Sequence, residues 1–187
     1  MPQTQETKPR VAITIGDPGG IGAEIALKAL ADPALADIAN WLLIADQAPL
    51  DAASRITGID PKSLPATLIK TANLDPATPY VFGKLCAEYG LAAIDYVRRA
   101  TEMCVSGEAD AMITAPLNKE AVTLSGRPFS GHTEYIAELT EATESRMLLV
   151  SEKLATVHVS THIALEEACR LKQQRIARTI EIGRAHV

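Results

Sequence analysis

Three stretches of this chain gather residue types that do chemistry. The first is Gly16-Asp17-Pro18-Gly19-Gly20-Ile21-Gly22. Glycines permit positive φ and close approach to a ligand, and a helix starting behind them presents free amide hydrogens and a positive dipole end, which suits an anion. The spacing is not the dinucleotide-binding GxGxxG, and no Gly-Lys-Ser/Thr follows as in a P-loop. On spacing alone, a tight strand-to-helix turn with only a packing role stands beside the anion reading. Asp46, at the end of the next strand candidate, imitates the ribose-binding acid of dinucleotide folds but lacks the accompanying glycine spacing.

The second stretch, Pro116–Glu134, reads PLNKEAVTLSGRPFSGHTE. Lys119 offers a point charge, His132 a donor or acceptor, and Thr133 a hydroxyl at a helix amino terminus, a combination suited to a phosphate or carboxylate. Solvated surface charge is the alternative for Lys119 and Arg127. The third stretch holds His158 and His162 in an H-x3-H pair. On a helix both rings would face one metal, but Thr156-Val157-His158-Val159-Ser160-Thr161 alternates like a strand, where four residues span ~13 Å. At most one of the two is then a ligand. His162 stands just past the strand's carboxyl end, where open α/β sheets place their sites, and His158 lies inside the strand. Glu141, Glu144, Glu166 and Glu167 read as exposed helix charges, and no GxSxG occurs.

These groups need a scaffold, and the apolar pattern describes one. Val11–Ile15, Trp41–Ala45, Ala66–Lys70, Ala111–Thr114, Met147–Val150 and Thr156–Ser160 read as strands. Helices are expected from Ala23 to about Leu30, over Gly83–Ser106, from about Glu134 to Thr140, and over Leu165–Ile180. Strands alternating with helices predict an α/β fold with a mostly parallel sheet.

The composition narrows the classes further. The chain has 187 residues, 47% hydrophobic and 22% charged, and a chain of this size can bury roughly 70% of its unfolded surface, so it is globular. Cys86, Cys104 and Cys169 are widely spaced without any CxxC, which reads as reduced thiols. A net charge of −5 and seven scattered aromatics argue against a nucleic-acid surface. No apolar run reaches the ~18 residues that cross a bilayer, and the amino terminus resembles no signal peptide, so no membrane partner and a cytoplasmic location are expected.

Taken in order, the motifs resemble the 4-hydroxythreonine-4-phosphate dehydrogenase family of pyridoxal-phosphate biosynthesis. Its members share a G-[DE]-P-[AG]-G-I-G loop, a T-[AG]-P-[LV]-x-K segment, G-x-P-[FY]-x-G-H-T-E, and a T-H near a strand end. Here these are Gly16–Gly22, Thr114–Lys119, Gly126–Glu134 and Thr161-His162, in order between about residues 11 and 180. The resemblance implies that His132 and Thr133 bind substrate, that His162 is the first of three metal-binding histidines, and that Lys119 is the lysine beside the substrate, with a catalytic role. The implied reaction is oxidation of a secondary alcohol by NAD or NADP with a divalent metal (zinc, magnesium or cobalt). The β-keto acid so formed from 4-hydroxythreonine 4-phosphate decarboxylates to 3-amino-2-oxopropyl phosphate. The implied architecture is that of isocitrate and isopropylmalate dehydrogenases, two α/β/α domains around a cleft, in a homodimer whose metal site draws on both subunits. A paralogue acting on 4-phospho-threonate or 4-phospho-erythronate is the alternative, since PLNKEAV and HVSTHIAL read nearer to that branch. An inactive phosphate-binding fragment is the alternative from another class.

Family chains are longer, and two metal histidines and most nucleotide-binding segments lie beyond the point matched by Val187. The expected organisation is a first α/β domain over residues 1–120, incomplete without its last strands, the start of a second over 121–181, and a non-native tail over 182–187. That tail, Ile182-Gly183-Arg184-Ala185-His186-Val187, back-translates as ATC GGA AGA GCA CAC GTC, which resembles a common sequencing-library adapter. A C-terminally truncated gene read is therefore expected, inactive by itself because it carries one metal ligand of three.

Overall fold

In the computed structural model, which describes residues 8–161 and 163–185, four β-branched or apolar runs form one parallel sheet. They are β1 (Arg10–Thr14), β2 (Asn40–Ala45), β3 (Ala66–Lys70) and β4 (Ala111–Thr114), ordered β3-β2-β1-β4. β1 pairs with β2 from Arg10↔Asn40 to Thr14↔Ile44 and with β4 from Val11↔Ala111 to Thr14↔Thr114. Flanked on both sides, β1 is buried from Val11 to Thr14, as an inner parallel strand must be. β4 is a sheet edge, and its residues alternate between exposed and half-buried.

Each crossover is helical. α1 (Gly22–Leu30) buries Ala23, Ala26, Leu27 and Leu30, one stripe of a 3.6-residue repeat. A single turn, α2 (Pro33–Ala36), precedes β2, where the Trp41 indole N–H donates to the Leu35 carbonyl at 2.9 Å. α3 (Gln47–Thr57) ends on Gly58, and α4 (Ala87–Val105) buries Tyr89, Ala92, Ala93, Tyr96, Val97, Ala100 and Met103. α4 begins four residues later than the periodicity from Gly83 predicts, because Gly83 has φ +77° and its N–H donates to the Gly19 carbonyl at 2.9 Å. Two short helices follow β4: α5 (Lys119–Leu124) and α6 (His132–Leu139).

Contacts divide the chain into two compact units, Met1–Thr140 and Glu141–Val187. α5 and α6 both pack on α4 and so belong to the first unit, beyond the residue 120 at which the sequence suggests a division. The second unit contains β5 (Leu148–Val150), β6 (Ala155–Val157), the single turn α7 (Leu165–Ala168) and α8 (Gln173–Arg184). β5 and β6 are antiparallel, not part of a parallel sheet. The reason is distance along the chain, since a parallel crossover needs a dozen or more residues and only residues 151–154 separate these strands. β6 ends before His158, which lies just outside the strand with its N–H donating to the Met147 carbonyl at 3.0 Å. The helix expected over Leu165–Ile180 is interrupted, as Lys172 is extended. Between Cys169 and Arg175 the sequence has only one large apolar side chain, Leu171, so no stripe holds a continuous helix there.

This mixed α/β architecture is the predicted fold class. Among the described residues no helix is long and apolar enough to cross a membrane.

Asp110, just before β4, is tied to the first residue of β1. Its carboxylate accepts from the Arg10 N–H at 2.8 Å, Nε at 3.2 Å and Nη2 at 2.8 Å. The Arg10 side chain, then its N–H, hold the Asp110 carboxyl down to about 2. An unfolded aspartate titrates near ~3.9, so the contribution of this pair is present above about pH 4 and lost as pH falls through about 2. Asp110→Asn is expected to lower the melting temperature modestly at neutral pH, because both side chains are nearly half exposed. The gap between variant and parent should close by about pH 2, and a gap that persists there would assign the effect to packing instead.

Candidate functional site

The strand order places a topological switch point between the carboxyl ends of β1 and β4, the crevice where open α/β sheets bind ligands. The glycine loop leaves β1 there and the Pro116–Lys119 segment leaves β4. They are laced together, the Ala115 N–H donating to the Thr14 carbonyl at 3.1 Å and the Asp17 N–H to the Pro116 carbonyl at 3.0 Å.

The same closeness explains the glycines. A Cβ on Gly16, which has φ +66°, would sit 2.2 Å from the Pro116 carbonyl oxygen, and one on Gly22 would sit 1.9 Å from that of Ile15. On Gly19 it would meet the Lys84 carbonyl at 2.8 Å and the Tyr89 ring at 3.0 Å. Asp17 accepts from the Gly19 N–H at 2.9 Å, while burial pushes its carboxyl up. Tyr80 donates its hydroxyl to the Pro18 carbonyl at 2.8 Å, closing the loop from above. Close packing of the turn accounts for glycine at positions 16, 19 and 22.

Asp46 is likewise committed inside the fold. Its buried carboxylate accepts from the Tyr96 hydroxyl at 2.7 Å, the Thr71 hydroxyl at 2.9 Å, and the Asn73 N–H, Asn73 Nδ2 and Leu74 N–H at 2.9, 3.3 and 3.4 Å. Five internal donors fill the lone pairs that a ribose would need.

Lys119 and His132, separated by thirteen positions, come together. Asn118 caps α5 by accepting from the Glu120 and Ala121 N–H groups at 2.9 and 3.3 Å, which sets Lys119 at the first helical position. α5 is seated on α4 at Gly90, where a Cβ would lie 2.2 Å from the Ala121 carbonyl oxygen. From there the exposed Lys119 ammonium donates to the Ser130 carbonyl in the loop before α6. His132 opens α6 and Thr133 follows, exposed, in its first turn. The His132 ring meets Phe129 edge-on, 6.1 Å between centroids at 82°, and Phe129 meets Tyr135 at 5.8 Å. Burial, and secondarily the Lys119 charge, push the imidazole below its ordinary value, which favours its neutral form. Its Nε2 is buried and has no hydrogen-bond partner among the described residues. Such an atom costs about 1–3 kcal/mol unless something bonds to it, which distinguishes His132 from a structural histidine.

The aromatic wall of Phe129 and Tyr135 is the part that spacing arguments missed. Its one signal is Phe129 within GRPF, three residues before His132. His162 lies outside the described residues, and among those described no group of three or more His, Cys, Asp or Glu side chains could hold a metal ion.

Comparison with known proteins supplies the context. Residues 26–187 match the family model described as pyridoxal phosphate biosynthetic protein PdxA. The D-threonate 4-phosphate dehydrogenase of Cupriavidus necator is 38% identical over 94% of this chain and 56% of its own length. The 4-hydroxythreonine-4-phosphate dehydrogenase of Trichlorobacter lovleyi is 34% identical, again over 94% of this chain and 56% of its own. The crystal structure of a 4-hydroxythreonine-4-phosphate dehydrogenase from Burkholderia phymatum superimposes with a TM-score of 0.84 at 36% identity, covering 96% of this chain and 58% of that one. The chain thus spans just over half the length of the relatives it matches. With the family model covering most of the sequence and the parallel sheet reproduced in a solved relative, the chain belongs to the PdxA family.

Proposed function

We propose that this chain carries substrate-binding residues of a dehydrogenase acting on a 4-phosphorylated hydroxy acid, with 4-hydroxythreonine 4-phosphate as the leading substrate. The observation that carries the reading is the buried, unpartnered Nε2 of His132 beside the Lys119 ammonium. A neutral imidazole offers one donor or acceptor to a substrate oxygen. Lys119 contributes the positive charge that a phosphate or carboxylate requires, and Thr133 adds a hydroxyl in the first turn of α6. Lys119 is proposed as the catalytic residue, positioned by Asn118 and by the Ser130 carbonyl.

NAD or NADP and a divalent metal belong to the proposal as requirements of the whole reaction, with His162 proposed as a metal ligand. No described residue is assigned to either group. Assembly as a homodimer in the cytoplasm completes the proposal. D-threonate 4-phosphate is the second reading, favoured by the 38% identity of the Cupriavidus relative against 34% for the Trichlorobacter one.

Titration of the 187-residue chain with each of the two phosphorylated acids, followed through the His132 imidazole resonances, tests the assignment. Saturable shifts at His132 are expected. His132→Ala should weaken binding about tenfold or more, a loss of roughly 1.4 kcal/mol. Equal affinity in that variant would remove the assignment. Tighter binding of D-threonate 4-phosphate would move the substrate to the second reading.

A further inference from the structure

Within the first unit, a second cleft of about 460 Å³ opens between α4, the loop after β3 and α6. It uses none of Lys119, His132 or Thr133. Leu91, 41% exposed, and Ile94 supply apolar wall from α4. Arg98 lines it too, but its guanidinium is already paired with Asp95 and Glu102. Arg127, exposed in the turn before α6, forms no ion pair or side-chain hydrogen bond among the described residues. Tyr135 faces the same cleft from α6, half-buried, and its hydroxyl has no hydrogen-bond partner among the described residues. Burial pushes that phenol up, outweighing the opposing charges of Arg127 and Arg98, so it remains a donor.

The lining therefore holds one guanidinium and one phenol without partners among the described residues, beside an apolar wall. Clefts of this volume with apolar walls and a few convergent polar groups are the general form of small-molecule sites. Asp95, which also lines the cleft, and Glu102 occupy the Arg98 guanidinium, so Arg127 is the one cation of the lining left to meet a ligand, which suits a single negative charge and not a dianion. A planar guanidinium with spare N–H groups suits a carboxylate, which it binds through two parallel hydrogen bonds. We infer that the cleft between α4 and α6 binds an organic carboxylate, its charge on Arg127 and Tyr135 and its apolar body on Leu91 and Ile94.

Benzoate, benzamide and inorganic phosphate separate charge from shape. Titrated into the 187-residue chain and followed by the Leu91 and Ile94 methyl resonances, benzoate should shift them saturably. Benzamide, of the same shape without the charge, should bind at least tenfold more weakly, and phosphate, without the apolar body, should leave these methyls unmoved. Arg127→Ala should weaken benzoate about tenfold, and Tyr135→Phe about threefold. Leu91→Glu, at an exposed position where folding is not at stake, should abolish binding by repulsion. His132→Ala should leave benzoate binding unchanged, which separates this cleft from the site proposed above. Benzoate shifts that fail to saturate, or an affinity unchanged by both Arg127→Ala and Leu91→Glu, would overturn the inference.

Discussion

Asp46→Ala should cost about 4 kcal/mol of stability, a thousandfold change in the folding equilibrium. The carboxylate is buried and accepts from Tyr96, Thr71, Asn73 twice and Leu74. Removing it strands the Tyr96 hydroxyl in the core and two backbone N–H groups in the loop that leads from β3 toward α4. Each stranded buried donor costs about 1–3 kcal/mol, partly relieved where the loop can reach water. Asp46→Asn keeps one acceptor oxygen and should lose about half as much. Tyr96→Phe removes a single donor and should lose about 1–1.5 kcal/mol. The graded order of urea midpoints, parent above Tyr96→Phe above Asp46→Asn above Asp46→Ala, is the measurement. An Asp46→Ala protein within 1 kcal/mol of the parent, roughly a fivefold change in equilibrium, would mean the loop rebuilds its bonds elsewhere.

Gly90→Ala sets two effects of opposite sign against each other. In a helix interior, alanine is better than glycine by about 0.8–1.0 kcal/mol, so propensity alone predicts stabilisation. Gly90, however, is where α5 lies on α4, and the new Cβ would be 2.2 Å from the Ala121 carbonyl oxygen, 2.3 Å from its carbon and 2.5 Å from the Val122 nitrogen. All three are backbone atoms, which cannot swing away as a side-chain tip can. Overpacking of this kind costs about 3 kcal/mol or more and wins, leaving a net loss of about 2 kcal/mol. The displacement also carries Lys119 away from the Ser130 carbonyl, since Lys119 is the first residue of α5. The variant should therefore melt several degrees lower and weaken phosphorylated ligands at the Lys119 and His132 site. A higher melting temperature would show that α5 is not held against α4 at this point.

The elements that could be read from the amino acids are those whose reason is local. Ala66–Lys70 and Ala111–Thr114 form strands at the residues their composition marks, and the 3.6-residue stripe of α4 buries its expected face. Where the reason lies in another part of the chain, local pattern misleads. Gly83 belongs to a loop because it bonds to Gly19, and His158 lies outside its strand because the β5–β6 hairpin ends one residue earlier. The glycine loop is the clearest instance, because its residue types fit an anion cradle or a packed turn equally well. Only the carbonyls of Pro116 and Lys84, brought in from two other segments, show the packing that requires glycine at positions 16 and 19.

The candidate site divides in the same way. Residue types and motif order by themselves determined the family, the α/β class, and Lys119, His132 and Thr133 as the residues to watch. The tertiary structure alone decided that Asp46 is a buried clamp, that Lys119 reaches the loop before His132, and that the imidazole is pushed toward its neutral form with Nε2 unpaired among the described residues. Burial and hydrogen-bond partnership come from atoms distant in sequence. A residue's type states which bonds it can make, and only the packing of the chain states which of them are already made.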